Sequence, residues 1–399
     1  MAYQSARQIE VAFKSESAFG TLPGATDGKG FRANSGGLNL SKDPITSNEN
    51  RRDGMTTRGR HGSRNVSGNY TGDLSVGTFD TLVEALFWGT FAAAVTVDDE
   101  LAAMSSASLA VGANTITASA GSWITAGLRV GDVIRESEGL VTANKDKNLR
   151  ITGLTATVIT VAETLTVEAG PIAAWTITRP KKVIQAATRR SFTFEEREID
   201  IDGSEIFKGC RVGSMALDMS PNGMATLNFG IVGQDMEIMT AGDSPYYTTP
   251  TYTTTQGLTA VEAKIVLGTT EIVDLTSVSL NFDRRAAGNP VVGSVLTPDV
   301  FDNTLQITGS ISGLRQDLTR TAAFLAETDL SLHLLFAENT AEPSDFISIV
   351  IPYLSLSSSS KSELGQDGPR TQTLDLMIGK DERGGAYEAA MAIYQTSAA

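Results

Sequence analysis

The sequence predicts a mainly β protein: two fused modules, each a β-sandwich or barrel segment backed by one α-helix, with a small β domain inserted into the first. Three observations predict this. Thr, Ser, Gly and Val are abundant and long helical periods are scarce, a composition suited to pleated strands. One pattern occurs twice along the chain at a nearly constant spacing, the mark of a structural unit used twice. The first copy also contains a long stretch with no counterpart in the second.

The first copy runs from Gly37 to Phe87 and the second from Val278 to Leu325. Leu38-Asn39-Leu40-Ser41 opens one and Leu280-Asn281-Phe282-Asp283 the other. Val66-Ser67-Gly68-Asn69-Tyr70-Thr71-Gly72 then answers to Ile307-Thr308-Gly309-Ser310-Ile311-Ser312-Gly313, at a spacing of 241 to 242 positions (Val66 to Ile307, Leu38 to Leu280). Further on, Met215–Ser220 resembles Tyr353–Ser357, and Thr226–Asp235 resembles Thr373–Asp381. The spacing of the latter match falls to about 146, so the first copy holds about 95 extra residues. The chain therefore divides into an N-terminal arm (1–36), a first module in two pieces (37–97 and 181–247), an inserted outer β domain (98–180), a linker (248–259), and a second module with a C-terminal tail (260–399). The arm is expected to order against a neighbour, as is the weakly helical tail from Ala386 to Ala399.

With 399 residues, each module is long enough for its own core. The net charge of −14 is wrong for a protein that grips phosphate, which needs surplus Lys and Arg. It suits a surface along which nucleic acid slides. The single cysteine, Cys210, excludes an internal disulfide and is expected to be buried. Met1–Ser5 is polar and shows no signal-peptide core. The longest apolar stretch, Ala85 to Val97, is broken by Gly89 and Thr90 and is too short to span a membrane.

Leu38 to Leu40 is expected as a strand, followed by a long loop from Lys42 to Arg64. That loop carries Lys42, Arg51, Arg52, Arg58, Arg60 and Arg64 against Asp43, Glu49 and Asp53. It is either an arm that reaches an acidic surface or a solvated loop. Its counterpart, Arg284 to Leu305, is less charged. The next strand puts Val66, Gly68, Tyr70, Gly72 and Leu74 on one face and Asn65, Ser67, Asn69, Thr71 and Asp73 on the other. The second copy sets Ile307, Gly309, Ile311 and Gly313 against Thr308, Ser310 and Ser312. Each such strand is half exposed to water. Phe79, Leu82, Val83 and Leu86 form one helical stripe, and Leu318, Ala322 and Leu325 a second. Each helix is expected to cover the apolar face of its sheet.

The insert shows short strand-like pieces at 114–118, 130–136, 149–151, 158–161, 165–168 and 175–178. It is expected to project outward and to be exchangeable for a short linker. Ser191 to Glu195 is a further strand, and Glu198 to Phe207 a hairpin turning at Asp202-Gly203. The acids of that hairpin loosely match a calcium loop but lack its spacing and closing glutamate. His61 and His333 are the only histidines, and no nucleophile elbow, phosphate loop, dinucleotide fingerprint or zinc spacing is present. No catalytic, cofactor or metal residues are assigned, and an enzyme is not expected.

Glu16-Ser17-Ala18-Phe19-Gly20-Thr21-Leu22-Pro23, and Gly68-Asn69-Tyr70-Thr71-Gly72-Asp73-Leu74 leading into an amphipathic helix, resemble the major tail tube proteins of long-tailed, siphovirus-type bacteriophages. So does the twice-used order of strand, long loop, strand, helix and strands. The resemblance implies two fused tail-tube modules in a structural virion protein, assembled in the host cytoplasm. It implies homotrimeric, pseudo-hexameric rings that stack into a tube, closed as a β-barrel, through which DNA passes in transit during ejection. It implies a tape measure protein in the lumen, tail terminator and tail-tip proteins at the ends, and no membrane. Asn69, Thr71, Asp73, Thr308, Ser310 and Ser312 are then expected to line the lumen. Arg51, Arg52, Arg58 and Arg60 are expected to meet an adjacent ring. Two other classes remain open: a β-rich surface adhesion or host-binding protein of a virion, and a polysaccharide-active enzyme.

Overall fold

The computed structural model describes residues 3–365 and 368–397, so Met1, Ala2, Ala398 and Ala399 of the expected arm and tail lie outside it. Strands predominate because polar and apolar residues alternate over most of the chain and leave little helical period. They form one sheet of 17 strands, one of 8, and a two-stranded ribbon.

The large sheet is organised around eight antiparallel strands lying side by side. In spatial order these are Ser35–Ile45, Arg60–Asp73, Thr226–Gly233, Gly203–Met219, Leu275–Asp283, Gln306–Leu314, Thr371–Ile378 and Phe346–Lys361. The first four and the last four make two blocks with the same order of elements. The blocks are joined by the pairing from Ser214↔Asp283 to Met219↔Val278. Their apolar sides share one hydrophobic cluster, which includes Val66, Tyr70, Leu217, Phe229, Leu280, Ile311, Leu354 and Leu374.

The blocks match down to their irregularities. Gly213 is an extra residue between Val212↔Ile231 and Ser214↔Gly230, and Ser357 is extra between Leu356↔Leu376 and Ser358↔Asp375. A second bulge separates Phe192↔Cys210 from Phe194↔Phe207, and likewise Leu330↔Leu354 from Leu332↔Ile351. Such bulges re-aim a strand at a fixed place, and both recur at matching ladder positions. The ladder thus equates Val212 with Leu356. The sequence match of Met215 to Tyr353 would have equated Val212 with Val350. A slide by an even number of residues keeps every side chain on its face, so a period-two sequence does not reveal it.

The first 36 residues depart from expectation. Ile9–Ser15 pairs with Phe192–Glu198, Lys29–Phe31 pairs with Ile9–Ser15, and Phe13 and Phe31 are buried. The segment is an integral part of the first block. The second block has the same hairpin in Ala263–Leu267 and Thr270–Ile272, joined by a tight turn at Gly268. The C-terminal tail departs as well: Ile393–Thr396 is a strand between Lys181–Ile184 and Phe346–Lys361. The stretch 42–64 is mostly a two-stranded ribbon, since pairing extends to Pro44↔His61 and Ile45↔Arg60, and only 46–59 forms an irregular tip. Exposed charge on both faces does not prevent strand pairing, because the backbone makes the ladder.

The helix Asp80–Phe87 buries Leu82, Val83 and Leu86 as its stripe requires, with Phe79 just before it also buried. The matching helix, Thr319–Leu325, does not behave alike. Leu318 is 66% and Leu325 76% exposed, and Ala322 is exposed too. Its half-buried Phe324 packs on the core instead.

Residues 95–179 form the separate eight-stranded sheet with their own core, in which Trp123 and Trp175 lie 5.3 Å apart. The piece expected at 165–168 is a strand at Glu168–Ile172 instead. The insert packs on the back of the second block. Arg135 and Asn148 donate to the Ser344 carbonyl, the Val133 amide donates to Gln395 Oε1, and Val133, Leu335 and Phe346 are buried together. Beneath them Asp132 accepts from Lys182 (2.9 Å) and from Gln395 (2.8 Å). Excising the insert would uncover these apolar groups, so a linker is not an innocent substitute.

His333 is buried in the second block near this contact, with Nε2 2.8 Å from Ser348 Oγ. Burial, and secondarily Arg150, push its pKa well below the ordinary 6.5. The unfolded chain therefore takes up a proton near the ordinary value while the folded chain does not. Stability contributed at this position is intact above pH 6.5 and falls as the pH drops below it. We expect His333→Gln to have a shallower loss of stability between neutral and mildly acidic pH than the parent, as read from urea midpoints across that range.

Candidate assembly and channel surface

Because the strands pair in register, the polar faces of all eight fuse into one continuous surface. Asn69 stands opposite Gly37 and Gly230, Thr71 opposite Ser35 and Asn228, and Asp73 opposite Thr226. Thr308 stands opposite Asn281 and Met377, Ser310 opposite Ser279 and Asp375, and Ser312 opposite Ser277 and Thr373. The six residues expected to line a lumen thus share one face, with Asp218↔Ser279 across the joint. Side chains on this face bond laterally: Asn69 Nδ2 donates to Asn228 Oδ1 (3.2 Å), Asn34 Nδ2 to Asp73 Oδ1 (2.6 Å), and Ser312 Oγ lies 2.8 Å from Thr373 Oγ1. At the pairings just named and across the joint, charge comes from Asp73, Asp218, Asp283 and Asp375; Arg211 lies further along this face, opposite Val232, and is buried.

Within the chain this sheet is open, and no closed barrel forms among the described residues. Its two margins are the outer side of Ser35–Ile45 and the outer side of 355–361, and among the described residues neither pairs with another strand. Unpaired margins of this kind invite another strand. At one of them Glu196 Oε1 accepts the Leu38 amide (2.8 Å) and also bonds the Tyr70 hydroxyl. Burial raises the pKa of Glu196, against the lowering effect of its Tyr70 and Leu38 bonds.

The joint inside the chain is more than strand pairing. Beyond Asp283 the chain crosses the bulge, where the Arg284 amide donates to the Gly213 carbonyl (2.8 Å). The buried Arg284 side chain then lies over the first helix. Its Nε donates to the Leu86 carbonyl (2.6 Å), and its guanidinium sits 3.9 Å from the centre of the Trp88 ring. Burial lowers its pKa to about 10, with Asp302 opposing the shift. The loop that follows presents Asp299 and Asp302 to Arg211 (2.7 and 3.3 Å) and to Arg189 (3.3 and 3.6 Å). These joint residues carried no recognisable motif; only their place after the second copy's first strand singled them out.

Arg51 and Arg52 lie on the exposed tip of the ribbon, where Arg51 pairs with Asp53 at 2.9 Å. Arg58 is at the end of the tip, whereas Arg60 belongs to the ladder, opposite Ile45. Elsewhere, no group of three or more His, Cys, Asp or Glu among the described residues is placed to hold a metal ion. Asp200 and Asp202 lie in the turn of the hairpin closed by Glu198↔Gly203. No described helix is long and apolar enough to cross a membrane.

A β-rich chain with a continuous, mostly polar face and two open margins suits a structural protein that assembles with copies of itself. The family model for "Phage tail tube protein" matches residues 6–378, nearly the whole chain, and the chain belongs to that family. It is thus a structural component of the phage virion tail that assembles with itself and with other tail components. No curated protein matches the chain.

The Arg284 contact can be tested in the isolated chain. Arg284→Ala removes a buried cation–π contact and the partner of a buried carbonyl. We expect a loss of about 2–3 kcal/mol in unfolding free energy. A change under about 0.5 kcal/mol, the level of an ordinary surface substitution, would mean that strand pairing alone holds the joint.

Proposed function

We propose that each block is one tail-tube module and that three chains close a ring of six modules, which stacks into a hollow tube conducting genomic DNA. The observation that carries this is the joint inside the chain. There the fourth strand of the first block pairs with the first strand of the second, Met215↔Phe282 and Leu217↔Leu280. The free margin at 355–361 belongs to the strand equivalent to Gly203–Met219, and the free margin of Ser35–Ile45 to the strand equivalent to Leu275–Asp283. The same joint made between chains therefore adds modules head to tail in one orientation, and head-to-tail contacts that close give cyclic rings. Closure abolishes both edges. The open sheet of one chain is then a segment of a barrel that only the ring completes. The insert, present once per chain, gives three outer lobes.

The polar face with Asn69, Thr71, Asp73, Thr308, Ser310 and Ser312 lines the channel in this reading. A neutral-to-acidic wall lets phosphates pass, where a basic wall would bind them with release of counterions. The ribbon tip with Arg51 and Arg52 reaches the adjacent ring. A tape measure protein fills the lumen before ejection, and terminator and tip proteins cap the ends.

Negative-stain microscopy of concentrated protein, with native mass measurement of released rings, tests the assembly. Rings of three chains with three lobes are expected; six chains per ring, or six equal lobes, would overturn the arrangement. The channel has its own test. Tubes of the Asn69→Arg, Ser310→Arg double variant should retain DNA at low salt and release it as salt rises, while parent tubes retain none. Equal retention by both would place these side chains away from the channel.

A further inference from the structure

The joint inside the chain and the joint proposed between chains occupy equivalent positions; one matched charge is kept, Arg284 against Lys42, and another is reversed, Asp299 against Arg58. Equivalence can be read from the fold. The helices Asp80–Phe87 and Thr319–Leu325 begin 239 positions apart; Trp88, the cap of the first, and Glu327, one residue past the cap of the second, are also 239 apart and share a left-handed backbone (φ 54° and 49°). Ladder positions Leu38↔Gly68 and Leu280↔Gly309 equate Lys42 with Arg284. The ribbon pairs Ile45↔Arg60 and Ala287↔Phe301 equate Arg58 with Asp299.

Inside the chain, Arg284 lies over Trp88, and the acidic Asp299 and Asp302 meet Arg189 and Arg211. At the end of the second block, Glu327 stands where Trp88 stands, with Asp329 two residues on, and both are exposed. The same surface leaves Leu325 76% exposed, where its counterpart Leu86 is fully buried. A basic, exposed segment of matching position exists in the same chain: Lys42 and Arg58.

We propose that Glu327 and Asp329, with the exposed face of helix Thr319–Leu325, are the seat for Lys42 and Arg58 of an adjacent copy of this chain. The inference rests on the ring reading above and adds to it a charged contact at the joint between chains. In the seated arrangement the Lys42 amide takes the Ser357 carbonyl, as the Arg284 amide takes that of Gly213. The Lys42 ammonium approaches Glu327, and Arg58 adds a second positive charge. The occupant is a second copy because it supplies the open strand, the complementary charge and the continuation of an existing joint together.

The joint inside the chain already occupies the facing margins of Gly203–Met219 and Leu275–Asp283, so among the described residues 355–361 and Ser35–Ile45 are the margins left for a second copy, and the seat adds charge complementarity to their meeting.

The test uses the full-length chain and three variants: Lys42→Glu with Arg58→Glu, Glu327→Lys with Asp329→Lys, and all four changes together. Circular dichroism and thermal melting check that each remains folded. Assembly is read as the protein concentration at which rings appear by light scattering and native mass. Each one-sided variant should need at least about tenfold more protein than the parent, because like charges then meet at the seat. The fourfold variant should recover most of that loss. Parent-like assembly by the one-sided variants, or no recovery in the fourfold variant, would overturn the seat. A parent chain that forms no rings under any condition would instead overturn the ring reading, so the two failures are distinguishable.

Discussion

The pairing of 214–219 with 278–283 is the interaction on which the rest of the structure depends. It turns two blocks, each of which would expose an unpaired margin, into one sheet with a single wet face and a single dry face. The dry faces then merge into one core in which Leu217, Phe229, Phe282 and Ile311 are all buried. Burial of this kind supplies most of the stabilisation of such a sheet. It is available only because the ladder holds the two blocks in register. A slip by one residue would turn apolar side chains toward water across half the molecule.

The same constraint explains the bulges. A long strand such as Gly203–Met219 serves two neighbourhoods, pairing with Phe192–Glu198 and Asp235–Thr240 at one end and with Thr226–Gly233 and Leu275–Asp283 at the other. One extra residue at Gly213 lets the strand turn between them, and Ser357 does so in the equivalent strand. Gly213 also lies close to the chain that crosses it, since a Cβ there would come within 2.9 Å of Ala286 Cβ. Serine is found at the equivalent place, where no chain segment crosses within the chain.

The inserted sheet is tied to the second block although it is spliced into the first. Its polar contact, with Asp132, Lys182 and Gln395 buried and the latter two both donating to Asp132, includes residues from the insert, its flank and the C-terminal strand. Buried charges of this kind tolerate no vacancy, because an unpaired partner in an apolar setting is costly. The contact therefore fixes the insert against the second block.

Local properties were legible in the sequence alone. The alternation of Asn65 to Leu74, the stripe Phe79-Leu82-Val83-Leu86 and the existence of a hairpin near Asp202, whose turn lies at 199–202 rather than at Asp202-Gly203, depend on near neighbours, and a period of two or of 3.6 records them directly. The duplication was legible too, because equal units keep equal spacing. What tertiary structure decided was everything that depends on a distant partner. The register of Val212 with Leu356 is hidden by even-numbered slides. Lys29–Phe31 and Ile393–Thr396 are strands only because other strands lie beside them. The stripe of Leu318 and Leu325 has the same period as a buried one yet lies exposed, since periodicity says which face is apolar and not what covers it. The role of Arg284 likewise depends on Trp88 and Leu86, nearly two hundred residues away in the chain and brought beneath it by the ladder.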